Sequence, residues 1–293
     1  MMLQAAVLSV LLCSVHAFVL PTSFDQTESS GNSIDDDKFS ISTRLERANR
    51  NIGKNPDDSF EVYGDIAVPT GLQNADPCTR RGCLWPKARD GNVYIPYRIS
   101  QQYSTRERNI ILQGLRSFSQ STCIRFTPEN QQEDFVNIIS DNGCYSFIGR
   151  QGRGQTVSLM RRGCVFFEIV QHELLHALGF NHEQTRSDRD RHVRILLENV
   201  QPGTEYNFRR IRTINLNTSY DYNSVMHYSR FAFSRNGQPT IIPVPDPNVA
   251  IGRASQMSSN DILRVNRLYR CNQTATGAPL PVDPELEPKD LFL

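Results

Sequence analysis

One stretch restricts this chain more than any other: His172-Glu173-Leu174-Leu175-His176-Ala177-Leu178-Gly179-Phe180-Asn181-His182. Two histidines four residues apart lie on one face of a helix, one turn from each other. Imidazoles so placed can share one zinc ion at about 2.0–2.1 Å each. Glu173, turned roughly 100° round the helix from His172, flanks such an ion without binding it, which suits a base acting on ion-bound water. Gly179 ends the helix, because glycine takes the left-handed conformation of a helix C-terminus at no steric cost. The turn it makes can return His182 as a third ligand. A fourth position then stays open to water, as in catalytic rather than structural zinc sites.

A second element lies downstream, Ser224-Val225-Met226-His227-Tyr228. A methionine taken alone is core filler, and His227 reads as a locally satisfied histidine rather than a fourth ligand. The first motif changes the reading of Met226. Its full spacing is the metzincin pattern, and metzincins carry a methionine turn beneath the metal, a place that Met226 fits. Glu183-Gln184 follow the third histidine directly, and Arg186, Asp188, Arg189, Asp190 and Arg191 continue the run. Together with Ser224 to Tyr228 they resemble the astacin family of zinc metalloendopeptidases, over roughly Asn74 to Cys271. Asn74-Ala75, Cys78, Cys83-Leu84-Trp85 and Ile95-Pro96-Tyr97 resemble its six-cysteine branch, which includes fish hatching enzymes and nephrosin.

That resemblance implies a role for each residue. His172, His176 and His182 would hold one Zn2+ per catalytic domain. Zinc polarises a scissile carbonyl and lowers the pKa of bound water from about 15.7 toward 7. Glu173 would take the proton and pass it to the leaving amine, and Tyr228 would stabilise the tetrahedral oxyanion. In active relatives the new N-terminus is buried against the acid after the third histidine. Here that is Asn74 reaching Glu183 through water, so cleavage is expected after Gln73. Tyr63-Gly64-Asp65-Ile66 resembles the family's prosegment switch, in which an aspartate occupies the open zinc position. A Gly-Asp pair by itself is a turn, and Val62 stands where the family has Phe.

The chain of 293 residues has room for one domain of about 200 residues plus accessory segments. Residues 1–17 read as a secretory signal, with an apolar run from Leu3 to Cys13, small residues before the cut and no basic n-region. Secretion implies an oxidising compartment. Cys13 falls in the signal, and the six remaining cysteines allow 15 pairings that sequence alone does not decide. The resemblance implies Cys123–Cys271, Cys144–Cys164 and, for the branch, Cys78–Cys83. Asn217 and Asn272 head N-glycosylation sequons. Segment 18–73 carries 5 basic and 10 acidic side chains and segment 272–293 carries 1 and 4, which leaves about +9 on the residues between. That charge reads as the complement of an acidic prosegment before it reads as a matrix-binding surface. No aromatic-interleaved basic stripe suggests nucleic acid, and no run is long enough to span a membrane.

The expected organisation is a signal at 1–17, a propeptide at 18–73, a catalytic domain at 74–271 and a short Pro-rich acidic tail at 272–293. Residues 18–59 lack sustained apolar periodicity and read as prosegment or linker. Alternation predicts a strand over 92–99, and Ser104 to Glu107 is a capping box opening a helix of about five turns. Cys123 to Phe126, Phe135 to Ser140 and Thr156 to Met160 read as strands, with the loop Gly149 to Gly154 joining two of them. The zinc helix is predicted from Phe166, and Ser258 starts a closing helix that runs to Cys271. The fold class is therefore α+β. The resemblance implies an astacin-like zinc protease domain, with a mixed twisted sheet and helices above, a loop-rich half below and a deep cleft between.

A secreted binding protein on the same fold would have lost Glu173, which is present. A zinc amidase acting on non-protein substrates would not need the prosegment or the Met226 turn. No Ser/His/Asp reading competes, and His192, in a charged run, reads as surface. The resemblance implies extracellular protein substrates, with egg-envelope glycoproteins suggested by the hatching-enzyme likeness and another tissue protease as the alternative. Nothing in the chain demands more than a monomer.

Overall fold

A computed structural model describes residues 37–52, 60–70 and 82–271. The expected signal, the Gln73–Asn74 junction, Cys78, Asn272 and the tail lie outside these residues. The architecture is α+β. A seven-stranded sheet contains β1 (Phe60–Tyr63), β2 (Ile66–Pro69), β3 (Val93–Ile99), β4 (Ile124–Pro128), β5 (Phe135–Ile139), β6 (Cys144–Phe147) and β7 (Gly154–Leu159), in the order β1-β2-β6-β7-β5-β3-β4. β4, β3, β5 and β7 run parallel, and β6 is antiparallel to β7. The connection from β3 to its parallel neighbour β4 is a helix, as such a crossover requires.

The chain also forms α1 (Ile41–Asn49), α2 (Thr105–Ser121), α3 (Phe167–Ala177) and α4 (Ser259–Leu268). The capping box that opens α2 is formed, with the Ser104 and Glu107 side chains each holding the other's backbone N–H. α2 and α3 pack against each other and against the sheet, and Ile95, Ile111, Phe118, Val136, Ile138, Val157, Leu159, Val170 and Leu174 are fully buried there. Every residue of α3 from Ile169 to Ala177 is buried, the polar Gln171, His172, Glu173 and His176 included. The lower half is loop-rich, as expected, but it has a core of its own around Val193, Phe208, Phe233 and Ile241. β8 (Val193–Ile195) and β9 (Ile241–Pro243) pair antiparallel over that core. Disulfides Cys123–Cys271 and Cys144–Cys164 are present. Cys83 is also disulfide-bonded.

Two local expectations need correction. Segment 41–49, in a stretch read as lacking sustained apolar periodicity, is a helix. Its apolar stripe is short, Ile41, Leu45 and Ala48, with the first two buried and Ala48 packed on the core beside them. Its N-cap is Ser40, whose hydroxyl accepts from the Thr43 N–H. Burial against the rest of the molecule, rather than intrinsic periodicity, makes this helix. β6 has no signature in the sequence, because Cys144-Tyr145-Ser146-Phe147 is short and buried at its first three positions instead of alternating. The Gly149 to Gly154 loop accordingly joins β6 to β7, not β5 to β7. β1 and β2 flank the Gly64-Asp65 turn. They form a hairpin that adds to the sheet beside β6, with Ile66 opposite Ser146 and Ala67 opposite Phe147.

Gly114 sits where α2 crosses α3. A Cβ built there would lie 2.4 Å from Val170 Cγ1 and 2.9 Å from Val170 Cβ. Alanine would gain about 1 kcal/mol in helix propensity, but overpacking against a stiff β-branched side chain costs about 1–3 kcal/mol. Gly114→Ala is therefore expected to lower stability by up to about 2 kcal/mol in a urea titration. A more stable variant would contradict the close helix crossing.

Candidate active site

α3 places His172 and His176 one turn apart, as the spacing requires. Gly179, at φ +107°, turns the chain out of the helix. The last carbonyls of α3 find partners far away in sequence: Trp85 Nε1 donates to Ala177 O at 2.9 Å, the Gly149 N–H to His176 O at 2.8 Å and the Tyr269 hydroxyl to Leu178 O at 3.0 Å. These bonds satisfy groups that a helix end leaves open and hold the turn that carries His182.

The imidazoles are then oriented from behind. His172 Nδ1 lies 2.8 Å from Val225 O, and His176 Nδ1 lies 2.7 Å from Phe180 O. A carbonyl only accepts, so each Nδ1 carries the proton and each Nε2 presents a lone pair. Those Nε2 atoms face each other at 3.2 Å. Burial pushes the His176 pKa down to about 4, so the ring is neutral. Two lone pairs at that distance repel unless something positive joins them. Asp65 Oδ2 is 2.8 Å from His172 Nε2 and 3.7 Å from His176 Nε2, and Asp65 Oδ1 is 3.0 Å from His182 Nε2. All four residues are buried, and their ligand atoms lie within 4.8 Å of one another. Glu173 stands beside them with both carboxylate oxygens buried and without a hydrogen-bond partner. An orphaned carboxylate next to three convergent imidazole nitrogens is the donor chemistry of a zinc site, so the residues fit a zinc ion.

The electrostatics are those of a dry, charged centre. Burial alone would raise the Asp65 carboxyl, but its contacts with the three histidines, His182 foremost, outweigh it and hold it well below the usual range. Glu173 is pushed well above the carboxylate range, first by burial and then by the negative charge of Asp65. Burial likewise raises the Tyr228 phenol. The Tyr228 ring packs on His182 with centroids 4.5 Å apart. A Cβ built on Gly64 would lie 3.1 Å from the Tyr228 hydroxyl, so the phenol faces the turn between β1 and β2.

The supporting residues are less visible in the sequence. Met226 is buried, and its carbonyl accepts from the Glu183 N–H at 3.1 Å. Asp261, in the first turn of α4, takes the Ser258 and Val225 N–H groups on Oδ2 at 2.9 Å each and the Ser224 hydroxyl on Oδ1 at 2.6 Å. It therefore caps α4 and fixes Val225, whose carbonyl orients His172. Glu183 is gripped by Arg264 at 2.6 and 2.9 Å, by the Asp221 N–H at 2.7 Å and by Arg186 at 3.4 Å. Asp261 and Arg264 lie on α4 far from the zinc motif, and capping chemistry at Ser258 is the only sequence signal near them. His227 is outside the metal cluster, between the Tyr220 hydroxyl at 2.8 Å and Tyr228 O at 2.6 Å. His192, expected at the surface, is half-buried and stacks on Tyr220 at 4.7 Å. Asn217 is exposed.

Residues 82–270 match the family described as Astacin, a family of peptidases. High choriolytic enzyme 1 of Oryzias latipes is 48% identical over 237 residues, which is 80% of this chain and 86% of that protein. The astacin-like metalloendopeptidase of Mus musculus is 44% identical over 223 residues, or 75% of this chain and 50% of its own. The solved structure of high choriolytic enzyme 1, a hatching enzyme zinc-protease from medaka, aligns at a TM-score of 0.64 and 50% identity. That alignment covers 68% of this chain and 98% of the other.

Two predictions come from this geometry. Gly64 has φ +68°, and a Cβ there would lie 2.6 Å from Asn207 Oδ1. Gly64→Ala should therefore loosen the β1–β2 hairpin, read as faster amide exchange at Ile66 and Ala67; unchanged protection would contradict the close approach. Burial depresses the His227 pKa to about 4, against about 6.5 in an unfolded chain. The folded state then binds fewer protons, so stability present above pH 6.5 is lost as pH falls toward 4, by up to about 3 kcal/mol. His227→Gln should show a shallower loss over that window than the parent protein; an equal slope would mean that His227 is not the group being titrated.

Proposed function

The chain belongs to the astacin family and is a zinc metalloendopeptidase, and from that premise we propose that it is a secreted zymogen whose prosegment closes its own active site. In this reading residues 1–17 are the export signal, 18–73 the prosegment, 74–271 the catalytic domain and 272–293 a tail. The observation that supports it most is the contact of Asp65 with the histidine Nε2 atoms, 107 residues from His172 in sequence. A carboxylate in that position fills the space that water and a scissile carbonyl need.

His172, His176 and His182 would hold zinc through Nε2. When bound, the ion supplies a Lewis acid for the scissile carbonyl and acidifies water. The chain's own residues do the rest. Glu173, with two free oxygens in a dry site, takes a proton from the attacking water and delivers it to the leaving amine. Its pKa is raised first by burial and then by Asp65, and the second of these causes goes when Asp65 leaves. Tyr228, released from the Gly64 turn, turns its hydroxyl to the developing oxyanion. Asn74, freed by cleavage after Gln73, approaches Glu183. Four donors already occupy that carboxylate, so the arriving amine joins them through water or displaces Arg186, the most distant at 3.4 Å. Likeness to the choriolytic enzymes supports egg-envelope proteins as the substrate.

The test uses the full chain before and after limited proteolysis of the prosegment, on casein and on isolated egg envelope. Activated protein should cleave both and lose activity with a chelator. Glu173→Ala should lose at least about a hundredfold in kcat, within the range for general acid–base groups. Asp65→Ala should make the uncut chain active. A latent D65A chain, or chelator-insensitive cleavage, would overturn the reading, and cleavage of casein with the envelope left intact would remove the egg-envelope assignment alone.

A further inference from the structure

α1 bridges the loop-rich half and the start of α3. On one side the Ser42 hydroxyl accepts from the Ser229 N–H at 3.0 Å, and Glu46 accepts from the Phe233 N–H at 3.0 Å and the Gln201 amide at 2.9 Å. On the other, Arg44 reaches the start of the zinc helix. Its Nη1 donates to Glu168 Oε1 at 2.7 Å, and its guanidinium carbon lies 4.1 Å from the centre of the Phe166 ring. Phe166 is the residue before α3 and Glu168 is in its first turn. An acid and an aromatic face converge there on one planar cation, an arrangement that favours arginine over lysine because both faces of its chemistry are used.

Phe166 remains 40% exposed even beneath the guanidinium, a large ring left open at the start of α3. Glu168 is four residues before His172, about 6 Å along the helix axis. An extended peptide covers about 3.3 Å per residue, so a side chain two or three residues from the scissile bond would fall at this position.

We propose that Glu168 and Phe166 form a substrate subsite for an arginine side chain, and that Arg44 occupies it in the intact chain. The proposal rests on the reading of 18–73 as a removable prosegment and extends it: the prosegment blocks the zinc centre with Asp65 and a specificity site with Arg44. The favoured substrate is a peptide with arginine two or three residues from the cleaved bond.

The test compares matched fluorogenic peptides with arginine or citrulline at each of the three positions on either side of the scissile bond. Citrulline keeps the shape and removes the charge. The full chain is activated by limited proteolysis, and Glu168→Gln and Phe166→Leu are treated in the same way. The quantity read is the arginine-to-citrulline ratio of kcat/KM within each protein, which cancels any difference in the amount of folded enzyme. At one position, two or three residues from the bond, the parent protein should prefer arginine by about tenfold, the sum of a charge-assisted hydrogen bond and a cation–π contact. Glu168→Gln should reduce that ratio to about twofold, and Phe166→Leu should reduce it part of the way. A parent ratio near one at every position, or a ratio that survives both substitutions, overturns the subsite and leaves the protease reading standing. Cleavage of none of the peptides by the activated parent protein overturns both.

Discussion

Two hydrogen bonds carry the centre of this molecule: Nδ1 of His172 to Val225 O and Nδ1 of His176 to Phe180 O. Each fixes which nitrogen bears the proton, and so decides that the remaining lone pairs converge. Much of the remaining architecture serves to put those two carbonyls in place. Val225 is held because Asp261 caps α4 and binds the Val225 N–H with the same carboxylate oxygen. Phe180 is held because Gly179 turns the chain and three distant donors close the end of α3. The Met226 turn and the closing helix thus form part of one support, and the Cys123–Cys271 disulfide ties the end of that helix to the start of β4.

The N-terminal segments reach the same centre by three different kinds of contact. β2 adds to the free edge of β6 with backbone bonds, among them the Ser146 N–H to Asp65 O at 3.0 Å. α1 buries Ile41 and Leu45 and joins the loop-rich half to the start of α3 with side-chain bonds. Asp65 supplies the charge. Asn49 links the helix to the hairpin and to β6, donating to Gly64 O at 2.7 Å and accepting from the Cys144 N–H at 2.8 Å. The turn at Gly64 is therefore pinned from several sides, and it delivers its aspartate to a site where an unpaired carboxylate would be costly.

The legible parts of this chain are those in which one local rule decides the outcome. α2 has a capping box and one apolar stripe, and α3 carries its ligands at a spacing that only a helix satisfies. Asp65 can be singled out because the turn resembles a family switch, not because Gly-Asp is rare. The parts that are not legible depend on distant partners. α1 has two apolar anchors and becomes a helix against walls far away in sequence, at Glu168 and Ser229. β6 is buried from several directions, so it has no alternation to read. Asp261 and Arg264 sit on a helix with an ordinary capping signal, and nothing nearby in sequence says that one carboxylate also braces a zinc-ligand support or that the guanidinium grips Glu183.

The central claim is that three histidine nitrogens hold one zinc and that Asp65 shares that coordination until the prosegment leaves. X-ray absorption at the zinc edge, on the intact chain and again after activation, tests it directly. The account predicts one zinc per chain with three nitrogen ligands at about 2.0–2.1 Å in both states, and a carboxylate signature in the intact chain that gives way to a water oxygen in the activated form and in intact Asp65→Asn. A chain that holds no stoichiometric zinc, or a coordination sphere that is the same in all three samples, would contradict it.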